Sequence, residues 1–467
     1  MKFEMMLTAI IFVLLFIKIN DKATNITVLR VTNALLVLNT ILGFFGNTEA
    51  TLFSGMFHEN VLLGFEKSIL NLALLIIAHT GREWFLKHKH LPEFFILLLS
   101  SQLGLFFMMS SGNLLMFYLG LELSAIPLAA LCNFDLEKKI SSEAAMKMIL
   151  SSAFSSAILL FGISLMYGAT GSLSFPEIAA AITGSRIQIL AFIMLFTGFA
   201  FKLSVVPFHL WTADVYEGSP IVVTAYLSVV SKGAMSFVFI TALSKVFAGL
   251  APVWYYTLAI SAVITITIGN LFAIRQQNLK RFFAFSSIAQ VGYILIGISS
   301  LHGTGSEAQA GTASVVYFVL IYVFSNLAAF AVIGIISDNT GKETLNEFKG
   351  LYRSNPTLAL LLSLALFSLA GIPPTAGFFG KFFLLTSGAA LKNWWLIIIA
   401  ALNMVISLYY YLRIIRVMFI DENSEPLPKL SIAASVAAAL ALCAIGILVV
   451  GFIGRTFDVI FSLSANL

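Results

Sequence analysis

Residues 198–220 read GFAFKLSVVPFHLWTADVYEGSP, an apolar run that contains a lysine and is interrupted by a proline. Lys202 lies inside a hydrophobic stretch long enough to cross a bilayer. Pro207 follows five residues later and cannot donate a backbone hydrogen bond. A helix broken at membrane depth needs its freed backbone groups satisfied by protein or by water in a cavity. The stretch therefore predicts a discontinuous membrane helix beside a polar cavity.

The composition of the whole chain agrees with a membrane protein. Of 467 residues, 59% are hydrophobic and only 10% are charged, whereas soluble domains carry about 25% charged residues. In such a chain the net charge of +5 reports loop orientation and not nucleic-acid binding. We therefore predict a lipid bilayer as the surroundings and no nucleic-acid partner.

Two cysteines and the absence of nucleotide motifs exclude several kinds of site. Cys132 and Cys443 lie in or beside apolar runs with no CxxC spacing, which argues against a disulfide framework, an iron–sulfur cluster and a zinc site. The chain has no GxGxxG and no GxxxxGK[ST], the motifs of nucleotide-binding folds. We predict no metal and no cofactor in this chain. The first apolar run, at about 5–19, has no small-residue cleavage site and is interpreted as a retained helix.

Apolar runs of about 20 residues, the length that crosses a bilayer, recur along the chain. They predict an all-α polytopic membrane protein with about fourteen transmembrane helices. The predicted spans are 4–19, 26–46, 66–85, 92–110, 112–133, 143–167, 188–211, 220–246, 252–273, 282–300, 313–337, 357–388, 393–418 and 431–453.

Basic residues are unevenly distributed between the two sets of loops. The loops after odd-numbered helices carry 17: Lys18, Lys22, Arg30, Arg82, Lys87, Lys89, Lys138, Lys139, Arg275, Lys280, Arg281, Lys342, Lys349, Arg353, Arg413, Arg416 and Lys429. The other side carries 6: Lys2, Lys67, Arg186, Lys245, Lys392 and Arg455. The positive-inside rule assigns the first set to the cytoplasm and both termini to the extracytoplasmic side.

A second interruption, GIPPTAG at 371–377 in the twelfth helix, matches the break in the seventh. Transporters often carry broken helices at corresponding positions of inverted repeats. Helices seven and twelve are five apart, and an odd offset reverses the direction of the chain. We predict two inverted five-helix repeats, helices 4–8 and 9–13. The divisions are 1–90 (three N-terminal helices), 91–250 (first proton-channel repeat), 251–420 (second repeat) and 421–467 (C-terminal helix).

Charged residues inside the predicted helices are the candidate functional groups: Glu122, Lys147, Lys202, Lys232 and Lys381. A charge at the centre of a membrane helix costs about 2.5–3.5 kcal/mol. Burial favours neutral lysine and ion pairing favours its charged form. A lysine alternately paired with and released from a carboxylate can therefore bind and release a proton. The alternatives are snorkelling and a structural ion pair. His209 could relay protons or bond a freed carbonyl.

Five motifs resemble the antiporter-like membrane subunits of NADH:quinone oxidoreductase, respiratory complex I. They are FKLSVVPFHLWTADVYEGSP (201–220), SKGAMSF (231–237), NLKRFFAFSSIAQVGY (278–293), SLAGIPPTAGFFGKF (368–382) and LYYYLR (408–413). Three features favour the N-type over the L- and M-types: Lys381 in place of a glutamate, no lateral helix after helix fourteen, and TLFSGMF at 51–57.

The resemblance implies that Glu122, Lys147, Lys202, Lys232 and Lys381 are the proton-translocating residues. Gln290 replaces a histidine often found at its position, so the resemblance assigns it no titrating role. NADH, FMN, iron–sulfur clusters and quinone are expected in partner subunits, both membrane and hydrophilic. The expected location is the bacterial inner membrane, with proton movement driven by quinone reduction elsewhere.

Two other functions remain compatible with the same residues. A subunit of a multisubunit cation/proton antiporter uses the same parts. A purely structural membrane subunit could use buried ion pairs to fix helix packing. The sequence also leaves open whether sodium replaces protons, how many protons move and by which route they leave.

Overall fold

The protein, described from a computed structural model, is built almost entirely of membrane-length helices. The structure describes residues 1–20, 23–45, 49–422 and 426–466. The membrane helices are α1 (Lys2–Asn20), α2 (Asn25–Gly43), α3 (Val61–Thr80), α4 (Leu91–Met109), α5 (Leu114–Cys132), α6 (Lys139–Thr170), α7 (Arg186–Leu203 and Leu210–Gly218), α8 (Ile221–Val246), α9 (Ala251–Arg275), α10 (Leu279–Ser299), α11 (Ser306–Thr340), α12 (Pro356–Ala370 and Ala376–Ala390), α13 (Trp394–Phe419) and α14 (Ala434–Phe452).

Within those described ranges, thirteen helices are long and apolar enough to cross a membrane. The remaining predicted crossing, α12, consists of two shorter helices. Short helices at Arg82–Lys87, Phe175–Ala181, Leu351–Ser354 and Arg455–Leu463 lie between or after the spans. The all-α polytopic prediction is confirmed.

The third predicted span, 66–85, was placed too late in the chain. α3 begins at Val61 because the side chain of Asn60 caps it, accepting a hydrogen bond from the Leu63 amide at 2.7 Å. The charged residues Glu66 and Lys67 shifted the predicted start of the helix, although both residues are helical and buried. The count of Lys67 among the basic residues outside the helices was therefore wrong.

Both predicted helix breaks are present, and neighbouring groups satisfy their backbone. In α7 the break follows Leu203, where Ser204 takes a positive φ of 66° and the Val206 amide donates to Thr265 Oγ1 of α9 at 3.1 Å. In α12 it begins at Gly371, with a φ of 85° that favours glycine. Side chains thus replace the lost helical bonds, as a polar site inside a membrane requires.

The helix α8 contains two π-helical turns that the sequence did not predict, Leu227–Ser231 and Ala242–Val246. The first immediately precedes Lys232. Such wide turns occur mostly at functional positions, because they re-aim side chains without breaking the helix.

The two five-helix units share one hydrogen-bond pattern at opposite ends of the molecule. In the first unit the Leu114 amide donates to Leu173 O at 3.0 Å and the Phe175 amide to Gly112 O at 3.0 Å. In the second unit the equivalent bonds are Leu279 to Glu343 O at 2.9 Å and Leu345 to Gln277 O at 2.8 Å. Asn113 and Asn278 cap α5 and α10 in the same way. The repeats are therefore inverted copies of one skeleton.

Loop contacts define the two faces of the molecule. A hairpin of β1 (Ala50–Leu52) and β2 (Phe57–Glu59) pairs through Phe57 with Ser111, between α4 and α5. The amine of Met1 lies 3.4 Å from Glu59. We call this the N-terminal face. Loops after odd-numbered helices meet at the other face, where Lys87 Nζ donates to Asp338 O at 2.9 Å. The alternation agrees with the predicted helix count; Lys22 lies outside the described residues.

The core lies along α8, α10 and α11, whose residues are almost all buried. In α1, α2, α6 and α13 most residues remain partly or fully exposed. Lys232, in the middle of α8, is therefore buried within this core.

Candidate functional site

Lys202 ends the first half of α7, two residues before the break, and its side chain is 9% exposed. Its Nζ donates a hydrogen bond to Ser152 Oγ of α6 at 3.3 Å. The ammonium also lies 6.0 Å from the centre of the Phe201 ring. Lys202 is therefore buried beside a helix break.

Glu122 lies nine residues after the Asn113 cap of α5 and is the carboxylate whose charge acts on Lys202. The two form no ion pair among the described residues, because Lys202 turns to Ser152 of α6 instead. Glu122 Oε1 is buried and has no hydrogen-bond partner among the described residues. The two groups are therefore electrostatic neighbours, while the hydrogen bond of Lys202 goes to Ser152.

Lys232 follows the first π-helical turn of α8 and is 2% exposed. Its Nζ donates to Ser287 Oγ of α10 at 2.8 Å and lies 5.5 Å from the Tyr216 ring centre. A hydroxyl oxygen and an aromatic face hold a cation without fully neutralising it. Lys232 forms no ion pair with any described residue.

Lys381 lies in the second half of α12, 1% exposed. Its Nζ donates to Ala370 O at 3.2 Å, a carbonyl freed by the break, and lies 4.9 Å from the Tyr293 ring centre. Gln290 occupies the adjacent freed carbonyl, donating to Leu369 O at 3.1 Å. Gln290 therefore takes a structural position at the break, a role that the sequence alone did not assign.

Two separate groups of hydrogen-bonded hydroxyl and amide side chains lie on α8, α11 and α12, one near Lys232 and one at the break before Lys381. Ser228, one turn before Lys232, bonds Tyr322 at 3.1 Å and accepts from Asn326 Nδ2 at 2.6 Å. Ser325 bonds Ser368 at 2.7 Å, at the break of α12. Sequence reasoning missed these residues. The available signal was a polar letter inside an apolar run, as in VFSNLAAF.

Lys147 differs from the three buried lysines. Its side chain is 41% exposed and forms ion pairs with Glu143 and Asp214, each at 2.6 Å. Asp214 also pairs with Arg281 at 2.6 Å, and Arg281 pairs with Glu217 at 2.8 Å. Asp214 and Glu217, in the second half of α7, were not among the predicted site residues. Their signal was the pair of acids in ADVYEG directly after the break.

A cavity of about 440 Å³ opens beside this ion cluster on the face opposite Met1. Its charged lining comprises Lys87, Asp135, Lys138, Glu217, Lys280, Asp338 and Glu343. Lys280, counted above among the loop residues, instead lies in the first turn of α10, is 7% exposed and pairs with Glu343 at 3.1 Å. Burial lowers the pKa of Lys138, but the hydrogen bond and charge of Asp135 outweigh burial and raise the pKa overall.

His209 is 7% exposed at the start of the second half of α7. Its Nδ1 is buried and makes no hydrogen bond to the residues that the structure describes. The imidazole thus lies at the break with one nitrogen available.

Lys67 forms a further buried charge cluster that the sequence analysis missed. It is fully buried, with its Nζ 2.7 Å from Glu4, 2.9 Å from Glu59 and 2.6 Å from Ser110 Oγ. These contacts connect α1, the hairpin and the end of α4 to α3. The two carboxylates and one hydroxyl give this lysine a structural environment unlike those of Lys202, Lys232 and Lys381.

Comparison with known proteins assigns the chain to a family. The family described as NADH:quinone oxidoreductase/Mrp antiporter, TM, matches residues 111–407. NADH-quinone oxidoreductase subunit N of Phocaeicola vulgatus is 44% identical over 98% of this chain and 96% of its own. A chain of respiratory complex I from Thermus thermophilus is 28% identical, covering 97% of this chain and 98% of its own, with a TM-score of 0.82.

A chain of the Mrp complex from Dietzia sp. DQ12-45-1b shares the fold, with a TM-score of 0.82 at 20% identity, over 100% of this chain and 93% of its own. The fold alone therefore does not distinguish the two kinds of complex. The identity to the Phocaeicola relative along nearly the whole chain does. The chain belongs to the NADH:quinone oxidoreductase/Mrp antiporter transmembrane family, on its subunit N branch.

Proposed function

We propose that this chain translocates protons as the N-type membrane subunit of an NADH:quinone oxidoreductase. The translocating residues are Glu122, Lys147, Lys202, Lys232 and Lys381, and His209 relays protons at the break of α7. The proposal rests on the family membership, on the names of the relatives, and above all on one structural observation.

That observation is the state of the three central lysines. Lys202, Lys232 and Lys381 are 9%, 2% and 1% exposed, and none forms an ion pair with a described residue. Each is held by a hydroxyl or carbonyl oxygen. A charge at such a depth costs about 2.5–3.5 kcal/mol, and a neutral residue would avoid that cost. Groups held this way can be neutral or charged, as a proton carrier requires.

Glu122 provides the alternating partner for Lys202. Its unpaired carboxylate lies close enough for its charge to act on the lysine, while Ser152 holds Nζ. A small movement of the lysine from Ser152 to Glu122 would stabilise its charged form, and the return would release the proton. The break at Ser204 supplies a hinge beside this lysine.

Protons enter from the face opposite Met1. The cavity of about 440 Å³ there is lined by charged residues and adjoins the Lys147–Asp214–Arg281–Glu217 cluster. From Lys232 the route continues through Ser228, Tyr322 and Asn326 toward Lys381. The units at 91–250 and 251–420 are the two halves of this route, with 1–90 and 421–467 as flanking helices.

The chain works within a larger complex in the bacterial inner membrane. NADH, FMN, iron–sulfur clusters and quinone bind in partner membrane and hydrophilic subunits, and this chain holds no redox centre. Both termini are extracytoplasmic, following the predicted bias of basic residues. A topology reporter fused after Leu467 should be active only outside the cytoplasm, and cytoplasmic activity would reverse the assignment.

The experiment that tests the function uses Lys202→Ala and Lys202→Arg in the intact complex. Both should lower NADH:quinone turnover and proton uptake into vesicles, by about 100-fold or more, with assembly checked on native gels. Arginine keeps the charge but does not release a proton, since its pKa exceeds about 12. Full pumping by assembled Lys202→Arg would refute a titrating role and support the structural alternative.

A cation/proton antiporter subunit is the second candidate, favoured by the shared fold of the Mrp chain. Co-purification with iron–sulfur subunits separates the two, because an antiporter complex has none. Loss of proton uptake when sodium is removed from the vesicles would favour the antiporter. Sodium-independent proton uptake would favour the respiratory subunit.

A further inference from the structure

A second cavity, of about 330 Å³, lies at the N-terminal face between the hairpin, the start of α3 and the end of α8. Its polar lining residues are His58, Asn60, Glu66, Ser111, Thr241 and Lys245. Lys245 is exposed, so the cavity reaches the surface. We call it the N-terminal vestibule. None of its residues belongs to the proposed set of translocating groups.

Glu66 is the unusual group in this vestibule. Its side chain is 3% exposed, yet it forms no hydrogen bond or ion pair with any residue in the described ranges. The cations whose charges act on it are Lys67 and Lys245. Lys67 is already occupied by Glu4, Glu59 and Ser110. A buried carboxyl without a protein partner must be solvated by cavity water or carry a proton.

The vestibule adjoins a narrow apolar crevice on the side of the lysine site. The two share Met109, Ser111, Phe175 and Thr241 as lining residues. The crevice ends at Phe117 of α5 and Phe199 of α7, whose rings stack at 5.3 Å. Lys202 is three residues beyond Phe199, and Glu122 is five beyond Phe117 on the same helices. The stacked rings therefore separate the vestibule from the site.

His58, on the hairpin, also lines the vestibule. Its Nδ1 lies 3.2 Å from Thr51 Oγ1 across the hairpin, which fixes the ring. Burial lowers the pKa of His58, and the Lys245 charge acts in the same direction. Both effects favour the neutral imidazole and make it a weaker proton acceptor.

We propose that the N-terminal vestibule is a proton-exchange site of the first repeat, with Glu66 as its proton-carrying carboxyl group. A proton arriving when the Phe117–Phe199 stack opens binds a Glu66 carboxylate oxygen, and the donor's bond to hydrogen breaks. The neutral acid then releases the proton to vestibule water and becomes a carboxylate again. The inference rests on the proposed proton translocation and adds a route on the N-terminal face.

The first experiment compares Glu66→Gln and Glu66→Asp in the intact complex, measuring proton uptake and NADH:quinone turnover. The control is Glu177→Gln, which removes an exposed carboxylate beside Pro176 of the same vestibule. Glu66→Gln should lower coupled turnover about tenfold or more, Glu66→Asp should retain most of it, and Glu177→Gln should match the parent. Equal activity of Glu66→Gln and the parent would overturn the proposal.

A second measurement separates proton transfer from a structural role of Glu66. Formate, a small carboxylic acid that enters the emptied space, should raise the turnover of Glu66→Ala but not that of Lys202→Ala. A structural role predicts no difference between the two variants, and that result would overturn the proposal. If Lys202→Ala itself pumps normally, the proposed function fails; if only the Glu66 variants pump normally, this inference fails alone.

A third variant tests whether the vestibule is open to water even if Glu66 substitutions prevent assembly of the complex. Thr241→Cys places a thiol in the vestibule wall without removing a charge. A membrane-impermeant methanethiosulfonate reagent applied to the side that bears Met1 should modify it and lower turnover. Protection of this cysteine from reagent on that side would show that the vestibule is closed to water and would overturn the proposal.

Discussion

The first repeat, α4–α8, and the second, α9–α13, share a skeleton but differ in their charged groups. Aligning the caps Asn113 and Asn278 brings Glu122 into register with Ser287. The close contact of Gly104 with the Ser124 amide likewise matches that of Gly269 with the Ala289 amide. Backbone geometry is therefore duplicated in detail.

The chemistry on that skeleton is not duplicated. Glu122 acts on Lys202 of its own unit, whereas its counterpart Ser287 binds Lys232 of the other unit at 2.8 Å. Lys202 precedes the break of α7, and Lys381 follows the break of α12. Lys202 of the first unit thus has a carboxylate as its electrostatic neighbour, whereas Lys381 of the second unit is held by a neutral carbonyl oxygen. Single side chains on a common frame distinguish the roles of the two units.

The largest effect should come from neutralising one lysine in each unit. If the units form one route, Lys381→Met should lower coupled turnover and proton uptake about 100-fold or more, as Lys202→Met should. Surface Lys392→Met is the control. Normal pumping by assembled Lys381→Met, with Lys202→Met inactive, would confine the route to the first repeat.

Because Glu122 and Ser287 occupy equivalent positions in the two repeats, substituting each should lower turnover, to different degrees. Ser287→Ala removes a hydrogen bond to a charged group, an interaction of about 1.5–3 kcal/mol, so turnover should fall on the order of tenfold. Glu122→Gln should lower it further. Ser299→Ala, on the same helix but bonded only to its own backbone, is the matched control. An inert Ser287→Ala would remove this serine from the route.

The shared skeleton predicts matched losses of stability at Gly104 and Gly269. A Cβ at these positions would lie 2.4 Å from Ser124 N and 2.6 Å from Ala289 N. Each alanine variant should be destabilised by about 1–3 kcal/mol, measured as thermal unfolding in detergent. Gly168→Ala, a helical glycine with open space around it, should instead be neutral or stabilised. A loss in only one repeat would mean that the two helix pairs pack differently.

The smallest effect concerns Glu347, in the loop of the second repeat. Burial raises its pKa, but hydrogen bonds from the Thr344 amide and hydroxyl and from the Glu343 amide outweigh burial and lower it. Its contribution is thus present above its unfolded-state pKa and lost as pH falls through the lowered value. Glu347→Ala should cost about 1 kcal/mol near neutral pH. If the difference in unfolding free energy between the parent and Glu347→Ala stayed the same at low pH, the stabilising role of the Glu347 carboxylate would be contradicted.

Much of this protein could be predicted from its residue order. Run length and the sparse charges predict the all-α membrane fold, because continuous apolar runs of about 20 residues cross a bilayer as helices. Pro207 and GIPPTAG predict the two breaks, since proline and glycine disrupt helices locally. The odd spacing between these breaks predicts the inversion of the repeats. The lysines in apolar runs could be singled out because each violates the local composition.

The exact environment of each charge could not be predicted, because partners come from distant segments. Whether Lys202 turns to Glu122 or Ser152 depends on how α5, α6 and α7 pack. Lys67 was counted outside the helices, because the local sequence does not show that the Asn60 cap starts α3 early or that Glu4 of α1 pairs with this lysine. Glu66 and Lys67 are adjacent in sequence, yet one faces a cavity and the other an ion cluster. The local sequence thus determined the helices and their breaks. Only tertiary packing decided which buried charged residues form ion pairs and which do not.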